Sequence, residues 1–189
     1  SVMHQNFLQP DDHATIRLAI ARMKATAQPD LIVLFQRVEA AAWTIRAIRE
    51  AGLTAAILGG DNLAQYSLLR GLQALAEGVR VSLFFHADPG DARGRRFLAA
   101  YRAATGAEPD YSQAFGYDAI YLLRDAVLKG GFTRTGVKAY LDALVRDGAE
   151  VPGVGGPFSL KPNHDARRPL HIAEIRGGAF EVLESVVAR

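Results

Sequence analysis

Along the first 86 residues, uninterrupted apolar runs alternate with longer stretches in which apolar residues recur every three or four positions. The uninterrupted runs are "LIVLF" at 31–35, "TAAILGG" at 54–60 and "VRVSLFF" at 79–85. A continuous apolar run bounded by polar residues is typical of a strand in a parallel sheet. "LIVLF" is therefore predicted to be a strand that is buried on both faces, and the other two runs are predicted to be further strands.

Helical spacing occupies the intervals between these strands. Asp11 and Asp12 come just before apolar residues spaced three or four apart, and carboxylates at that point favour a helix N-terminus. A second helix is predicted from Glu39 to Gly52, and a third over 63–76. Strands that alternate with helices in this way are βαβ units, so the fold is predicted to be α/β, with a parallel sheet flanked by helices.

The pattern changes after the third strand. Three helical segments follow with no strand between them, at 92–105, about 113–129 and 133–147, and Thr133 is the predicted N-cap of the last. Their apolar stripes have no sheet of their own to cover. A Gly/Pro-rich stretch then leads to two short strands around "GG" (177–178), which is a hairpin turn signal.

Composition excludes several classes of function. Of the 189 residues, 49% are hydrophobic, and 22 basic residues nearly balance 20 acidic ones to give a net charge of +2. No basic patch for nucleic acid is therefore expected, and the absence of cysteine removes disulfides and thiolate chemistry. The five histidines have no metal-ligand spacing, so neither a metal nor a cofactor is expected. The N-terminal "SVMHQNFLQP" has no signal-peptide pattern, which indicates either a cytosolic protein or a chain that begins after processing or truncation.

Two charged residues follow predicted strands directly. Asp61 follows "AAIL" and two glycines, and Arg37 comes two residues after "LIVLF". Ligands of open parallel sheets bind beyond the carboxyl ends of the strands, so adjacent strands would direct both side chains into one crevice. Asp61 is equally explained as the N-cap of the next helix, although Asn62 with Gln65 forms a capping-box pattern of its own. Arg37 is alternatively a solvated loop residue or the ion-pair partner of Asp61.

Three longer segments carry a resemblance to a known family. They are "PDLIVLF...AAAWTIRAIREAGLTAAILGGD", "FLAAYRAATGAEPDYSQAFGYDAIYLLRDAV" and "GPFSL...HIAEIRGGAFEV". In their order and spacing they resemble the type I periplasmic solute-binding proteins of ABC transporters, specifically the branch that binds leucine, isoleucine and valine. The resemblance covers nearly the whole chain. It implies two α/β lobes, joined by three crossover strands, that close on a small solute in the cleft between them.

For this chain the resemblance implies the C-terminal half of such a protein. Residues 1–87 and 168–189 would form most of a discontinuous C-terminal lobe, and 88–167 the last part of an incomplete N-terminal lobe. The sheet of the N-terminal lobe, which in the family holds the carboxylate of the amino acid, has no counterpart here. We therefore expect weak or no solute binding by this chain. We also expect self-association, because the apolar faces of the helices in 92–147 lack a covering sheet.

The resemblance also implies roles for the candidate residues. Asp61 falls where family members carry an acid that binds the ligand's ammonium group, and Gly60 lets the backbone approach the ligand closely. Arg37 falls where branched-chain amino-acid binders carry a tyrosine. Because a guanidinium suits a carboxylate, this departure makes a carboxylate-bearing or aromatic solute the alternative to an amino acid. The other predicted ligand-binding residues are Gln36, Tyr111 and Gln113.

The function implied by the resemblance is that of a periplasmic component of an ABC transporter. Such a protein binds an amino acid or a related small carboxylate and delivers it to a membrane permease, without catalysis. A ligand-sensing domain of a receptor or regulator with the same fold is one alternative. A less favoured alternative is an α/β hydrolase-type enzyme that uses Asp61, for which the sequence offers no adjacent second acid and no nucleophile motif.

Overall fold

The computed structural model describes residues 12–26, 29–87 and 90–187, and the chain divides into two compact units. Unit 1 comprises Ser1–Leu83 with Ile172–Glu184, and unit 2 comprises Phe84–His171 with Ser185–Arg189. The chain therefore passes between the units three times, after Leu83, after His171 and after Glu184.

Unit 1 contains helices that alternate with strands. Its elements in chain order are α1 (His13–Thr26), β1 (Leu31–Leu34), α2 (Val38–Glu50), β2 (Ala56–Gly59), a 3-10 turn (Asp61–Leu63), α3 (Tyr66–Leu72), a second 3-10 turn (Gln73–Ala76) and β3 (Arg80–Leu83). The carboxylate of Asp12 accepts a hydrogen bond from the backbone N–H of Thr15, 3.0 Å away, and so caps α1. Asp11, the other residue expected at this end, lies outside the described residues.

Besides β1, β2 and β3, the sheet of unit 1 contains β7 (Pro169–Arg176) and β8 (Ala179–Val187) from the end of the chain, in the order β1–β2–β3–β7–β8. β1 and β3 both pair in parallel with β2, with Leu34 opposite Gly59 and Gly59 opposite Val81. β7 enters unit 1 at Ile172, and β8 leaves it after Glu184. Gly177 and Gly178 join these two strands with positive φ values of 56° and 77°, which confirms the predicted hairpin.

The core of unit 1 lies on one face of this sheet. Alternate strand residues, among them Ile32, Leu34 and Ile57, form one apolar cluster with residues of α1, α2 and α3. On the opposite face Leu31 is 51% and Val33 46% exposed. The prediction that "LIVLF" is buried on both faces is therefore wrong. The strand is correct, but the helices that the structure describes cover only one of its faces.

The third predicted helix is also interrupted. In place of one helix over 63–76, the structure has α3 with a 3-10 turn on either side. Gln73 adopts a positive φ of 49°, which an α-helix cannot contain, and so α3 ends at Leu72. The N-cap of α3 is Gln65, without a side-chain cap bond, so the capping box predicted for Asn62 and Gln65 is wrong.

Unit 2 begins with three helices and continues with short strands. The elements are α4 (Ala92–Thr105), α5 (Tyr111–Gly130), α6 (Arg134–Arg146), β4 (Glu150–Val151), β5 (Phe158–Leu160) and β6 (Ala166–Arg167). Thr133 accepts a hydrogen bond from the N–H of Gly136 and caps α6, as predicted. The antiparallel sheet β4–β5–β6 was not predicted, because its strands have two or three residues each and lie within the Gly/Pro-rich stretch.

An ion pair inside unit 2 ties this stretch to α5. Asp118 of α5 is buried, and its carboxylate accepts hydrogen bonds from the Arg168 guanidinium at 2.8 Å and from the Val154 N–H at 3.0 Å. The guanidinium carbon of Arg168 lies 4.3 Å and 3.8 Å from the ring centroids of Phe115 and Phe158. The cation therefore has both a counter-charge and aromatic faces inside the unit.

Candidate functional site

The carboxyl ends of β1 and β2 form the candidate site. Because the two strands are parallel neighbours, the residues that follow them emerge at the same edge of the sheet. The N–H of Gly60 donates to the carbonyl of Leu34 across this edge, at 3.3 Å. This backbone bond sets the segment 35–37 beside the segment 60–61.

Asp61 is the first residue of the 3-10 turn and is half-buried. The N-cap of this turn is Gly60, and no side chain caps it. Among the described residues, the structure shows no hydrogen bond or ion pair to the Asp61 carboxylate. Capping was the alternative explanation of this acid, and the geometry does not support it, so Asp61 keeps its capacity to bind a cation or a donor.

Arg37 is exposed and occupies the N-cap position of α2 with an extended backbone. No ion pair joins it to Asp61, although the structure describes both residues. The sequence left open whether the two charges neutralise each other, and in this structure they do not. The same edge of the sheet therefore carries an anion and a cation that do not pair with each other.

Gln36 brings an unsatisfied acceptor to the same edge. Its side-chain oxygen Oε1 is buried, and within the described parts of the chain it has no hydrogen-bond partner. A buried amide oxygen without a donor is costly, so such atoms normally meet a water or a ligand. That Gln36 contacts the solute stays a prediction.

Phe35 is a candidate that the sequence analysis missed. Its side chain is 87% exposed, and a Cβ placed on Gly60 would lie 3.5 Å from its Cδ1 atom. The ring therefore lies beside Gly60 at the sheet edge. In the sequence, the apolar run "LIVLF" includes Phe35 as the last residue of a predicted buried strand. The signal that could have identified it is the alternation of β1, in which Ile32 and Leu34 point inward and Phe35 points away.

Tyr111 and Gln113 belong to unit 2 and begin α5. The side-chain oxygen of Gln113 accepts a hydrogen bond from the backbone N–H of Asp110 at 2.8 Å and completes a capping box. The Tyr111 ring contacts Phe84 and Phe115, with centroid distances of 6.2 Å and 5.9 Å. Four of the six predicted residues thus share one edge in unit 1, and these two lie on one helix start in unit 2.

Two features are absent from the described residues. These residues include no group of three or more histidine, aspartate or glutamate side chains that could hold a metal ion. They also include no helix that combines the length and the hydropathy required to cross a membrane.

Comparison with known proteins identifies the family. The family model described as "periplasmic binding protein" matches residues 9–179, which is most of the chain. The chain belongs to the periplasmic binding protein family. The resemblance seen in the sequence and the predicted fold class are both confirmed. A search of curated proteins found no significant match.

Solved structures of periplasmic binding proteins share the fold of this chain. A leucine-binding protein from Thermotoga maritima is 23% identical with a TM-score of 0.77, and the match covers 95% of this chain and 49% of that protein. A solute-binding protein of an ABC transporter from R. palustris, solved with benzoate, is 21% identical with a TM-score of 0.80 and coverages of 97% and 49%. A putative branched-chain amino acid ABC transporter protein from Rhodospirillum rubrum is 27% identical, with a TM-score of 0.67 and coverages of 95% and 49%. The chain spans about half the length of these proteins.

Proposed function

We propose that this chain is part of a periplasmic solute-binding component of an ABC transporter, which binds an amino acid or a related small carboxylate and delivers it to a membrane permease. The observation that carries the proposal is a pair of charges, Asp61 and Arg37, that have no ion-pair partner among the described residues. They lie at the carboxyl edge of a parallel sheet in a member of the periplasmic binding protein family. Unit 1 would form most of the C-terminal lobe, and unit 2 the last part of the N-terminal lobe.

Each residue of the edge has a definite role in this proposal. Asp61 binds the ammonium group of an amino acid, and Arg37 offers a two-pronged donor to a carboxylate. Phe35 supplies an exposed ring for the apolar part of the solute, and Gln36 accepts a hydrogen bond through its unsatisfied oxygen. Gly60 lets the solute approach the backbone. For Tyr111 and Gln113, which belong to unit 2, a role in solute binding stays a prediction.

The chemistry of these groups supports binding rather than catalysis. A buried solute held by charge and hydrogen-bond complementarity needs no nucleophile, and a solute that leaves unchanged is what a permease requires. Solved relatives have been described with isoleucine and with benzoate, which supports both an amino acid and an aromatic carboxylate as solute classes.

The proposal is tested by titrating the 189-residue chain with leucine, phenylalanine and benzoate and recording backbone amide NMR shifts. We expect saturable shifts at 35–37 and 60–61, with no chemical change of the solute. Asp61→Asn should weaken the binding of the amino acids by about tenfold or more and leave the binding of benzoate little affected. Arg37→Gln should instead weaken the binding of benzoate. Asp30→Asn is the matched control, because Asp30 precedes β1 at the opposite edge of the same sheet.

The results also distinguish the alternatives. Turnover of any solute would establish catalysis at Asp61, and an Asp30→Asn effect equal to that of Asp61→Asn would reject the proposed site. We expect affinities weaker than micromolar for this chain, because the proposed edge contacts the solute from unit 1 only. Calorimetry that gives a micromolar dissociation constant would contradict that expectation.

A further inference from the structure

Two histidines and a serine lie where the chain passes between its units. His86 follows the first passage by three residues, His171 is the last residue before the second, and Ser185 is the first residue after the third. All three residues belong to unit 2. The rings of His86 and His171 make an edge-on contact with centroids 5.9 Å apart, and Nδ1 of His171 lies 2.7 Å from Oγ of Ser185. One cluster thus joins the three segments in which the chain passes between its units, which are called the crossover segments below.

The surroundings of His171 in this cluster suit only its neutral imidazole. The residue is 9% exposed, and its Nε2 atom is buried without a hydrogen-bond partner among the described residues. A protonated imidazole has two N–H donors, and Ser185 can accept only the one on Nδ1. The second donor would be a buried, charged and unsatisfied N–H, which is among the least favourable groups in a protein interior.

Among the described residues, the groups recorded against His171 carry no compensating negative charge. From the segment after β3 the facing side chain is His86, and from β8 it is the uncharged Ser185. Gly155, in the loop after β4, brings no side chain to this place, and a Cβ added to it would lie 3.7 Å from the His86 carbonyl oxygen. Arg168, which directly precedes β7, is already paired with Asp118.

Burial lowers the pKa of His171 below its ordinary value, and the positive charge of a protonated His86 lowers it further. The unfolded chain therefore takes up this proton more readily than the folded chain. The neutral cluster contributes its full stability above about pH 6.5, and that contribution is lost as the pH falls from there toward the lowered pKa of the folded state.

We propose that His171, held between His86 and Ser185, is a proton-sensitive latch that keeps the three crossover segments together while neutral and releases them when protonated. The latch acts independently of the solute site, since none of its residues belongs to the edge around Asp61. It would make the crossover segments more mobile in mildly acidic surroundings.

Hydrogen exchange of the 189-residue chain at about pH 7.5 and about pH 5.5, corrected for intrinsic rates, tests this latch. We expect protection of the amides in 84–87, 170–173 and 184–186 to fall by about tenfold or more at the lower pH. In the His171→Asn variant the asparagine can still bond to Ser185 but cannot be protonated. Protection of the amides in the three crossover segments of this variant should therefore no longer depend on pH. His164→Asn is the matched control, because His164 is exposed and has a positive φ of 70°, which asparagine tolerates, and it should behave like the unmodified chain.

A second measurement keeps the proposal testable if His171→Asn fails to fold. The imidazole NMR signals of the unmodified chain report the pKa of His171 directly, and His86→Gln should raise that pKa because it removes a like charge. Loss of protection that persists in His171→Asn would overturn the latch. So would pH-independent protection in the unmodified chain, or a pKa of His171 at or above the ordinary histidine value.

Discussion

The buried carboxylate of Asp118 links α5 to two other segments of unit 2. The side chain has no solvent exposure, and it bonds at once to Arg168 of the stretch after β6 and to the backbone of Val154. Glycine at 153 is required here, because an added Cβ would lie 2.8 Å from the Asp118 carboxylate and 2.5 Å from the Gly156 carbonyl. The loop can therefore close over the acid only without a side chain at that position.

We predict that Asp118→Asn destabilises the protein by about 3–5 kcal/mol, because it leaves the Arg168 guanidinium buried without its counter-charge. Asp125→Asn is the control, since Asp125 pairs with the exposed Arg124 on the same helix, and it should cost less than about 1 kcal/mol. Urea unfolding followed by circular dichroism measures both. Equal costs for the two substitutions would show that burial of the Asp118 pair has no energetic consequence.

At the scale of elements, β1 shows a one-sided pattern of burial. Ile32 is 7% exposed and belongs to the core, while its neighbour Val33 is 46% exposed on the opposite face. Ile32 and Val33 are neighbours in one strand, and their side chains point to opposite faces of the sheet. Comparing substitutions at the two positions therefore isolates the contribution of the helical layer to the stability of the strand.

Ile32→Thr should destabilise the protein by about 2–3 kcal/mol, because it removes buried methyl groups and buries a hydroxyl. Val33→Thr should change stability by less than about 0.5 kcal/mol, because its surroundings are already solvent. Thermal unfolding of the two variants and of the unmodified chain measures both changes in stability. Similar losses would indicate that the exposed face is covered in solution.

The existence of most elements could be predicted from local pattern, and their surroundings could not. The β1 and β2 strands, the cap at Thr133 and the glycine hairpin follow from apolar runs and turn chemistry that act within a few residues. The break at Gln73 and the short strands β4–β6 depend on contacts distant in the sequence. For the same reason the sequence identified Asp61 and Arg37 at a sheet edge but missed the exposed ring of Phe35 and the burial of Asp118.

At the scale of the whole molecule, several large apolar side chains of unit 2 are exposed. On α5 and just beyond it, Ile120 is 66%, Leu128 68% and Phe132 88% exposed. Several large apolar side chains exposed along one helix and the turn after it favour association with another surface. The expectation of self-association, made from the sequence, therefore has specific residues to test.

We predict that this chain associates at micromolar concentrations and that the double substitution Ile120→Glu with Leu128→Glu shifts it toward monomer, since charges on a contact surface must be desolvated. Leu18→Glu is the control, because Leu18 is 52% exposed on α1 of unit 1. Sedimentation velocity over a concentration series is the measurement. A monomeric unmodified chain, or an equal effect of Leu18→Glu, would contradict the prediction.

The stacked pair on α1 and α2 has an optical consequence. Trp43 is the single tryptophan of the chain, and its ring lies 3.9 Å from that of His13, while five of the six tyrosines fall in unit 2. Indole fluorescence therefore reports on unit 1 alone. Unfolding of unit 1 can thus be followed by indole emission, separately from the amide exchange of unit 2 and without any label.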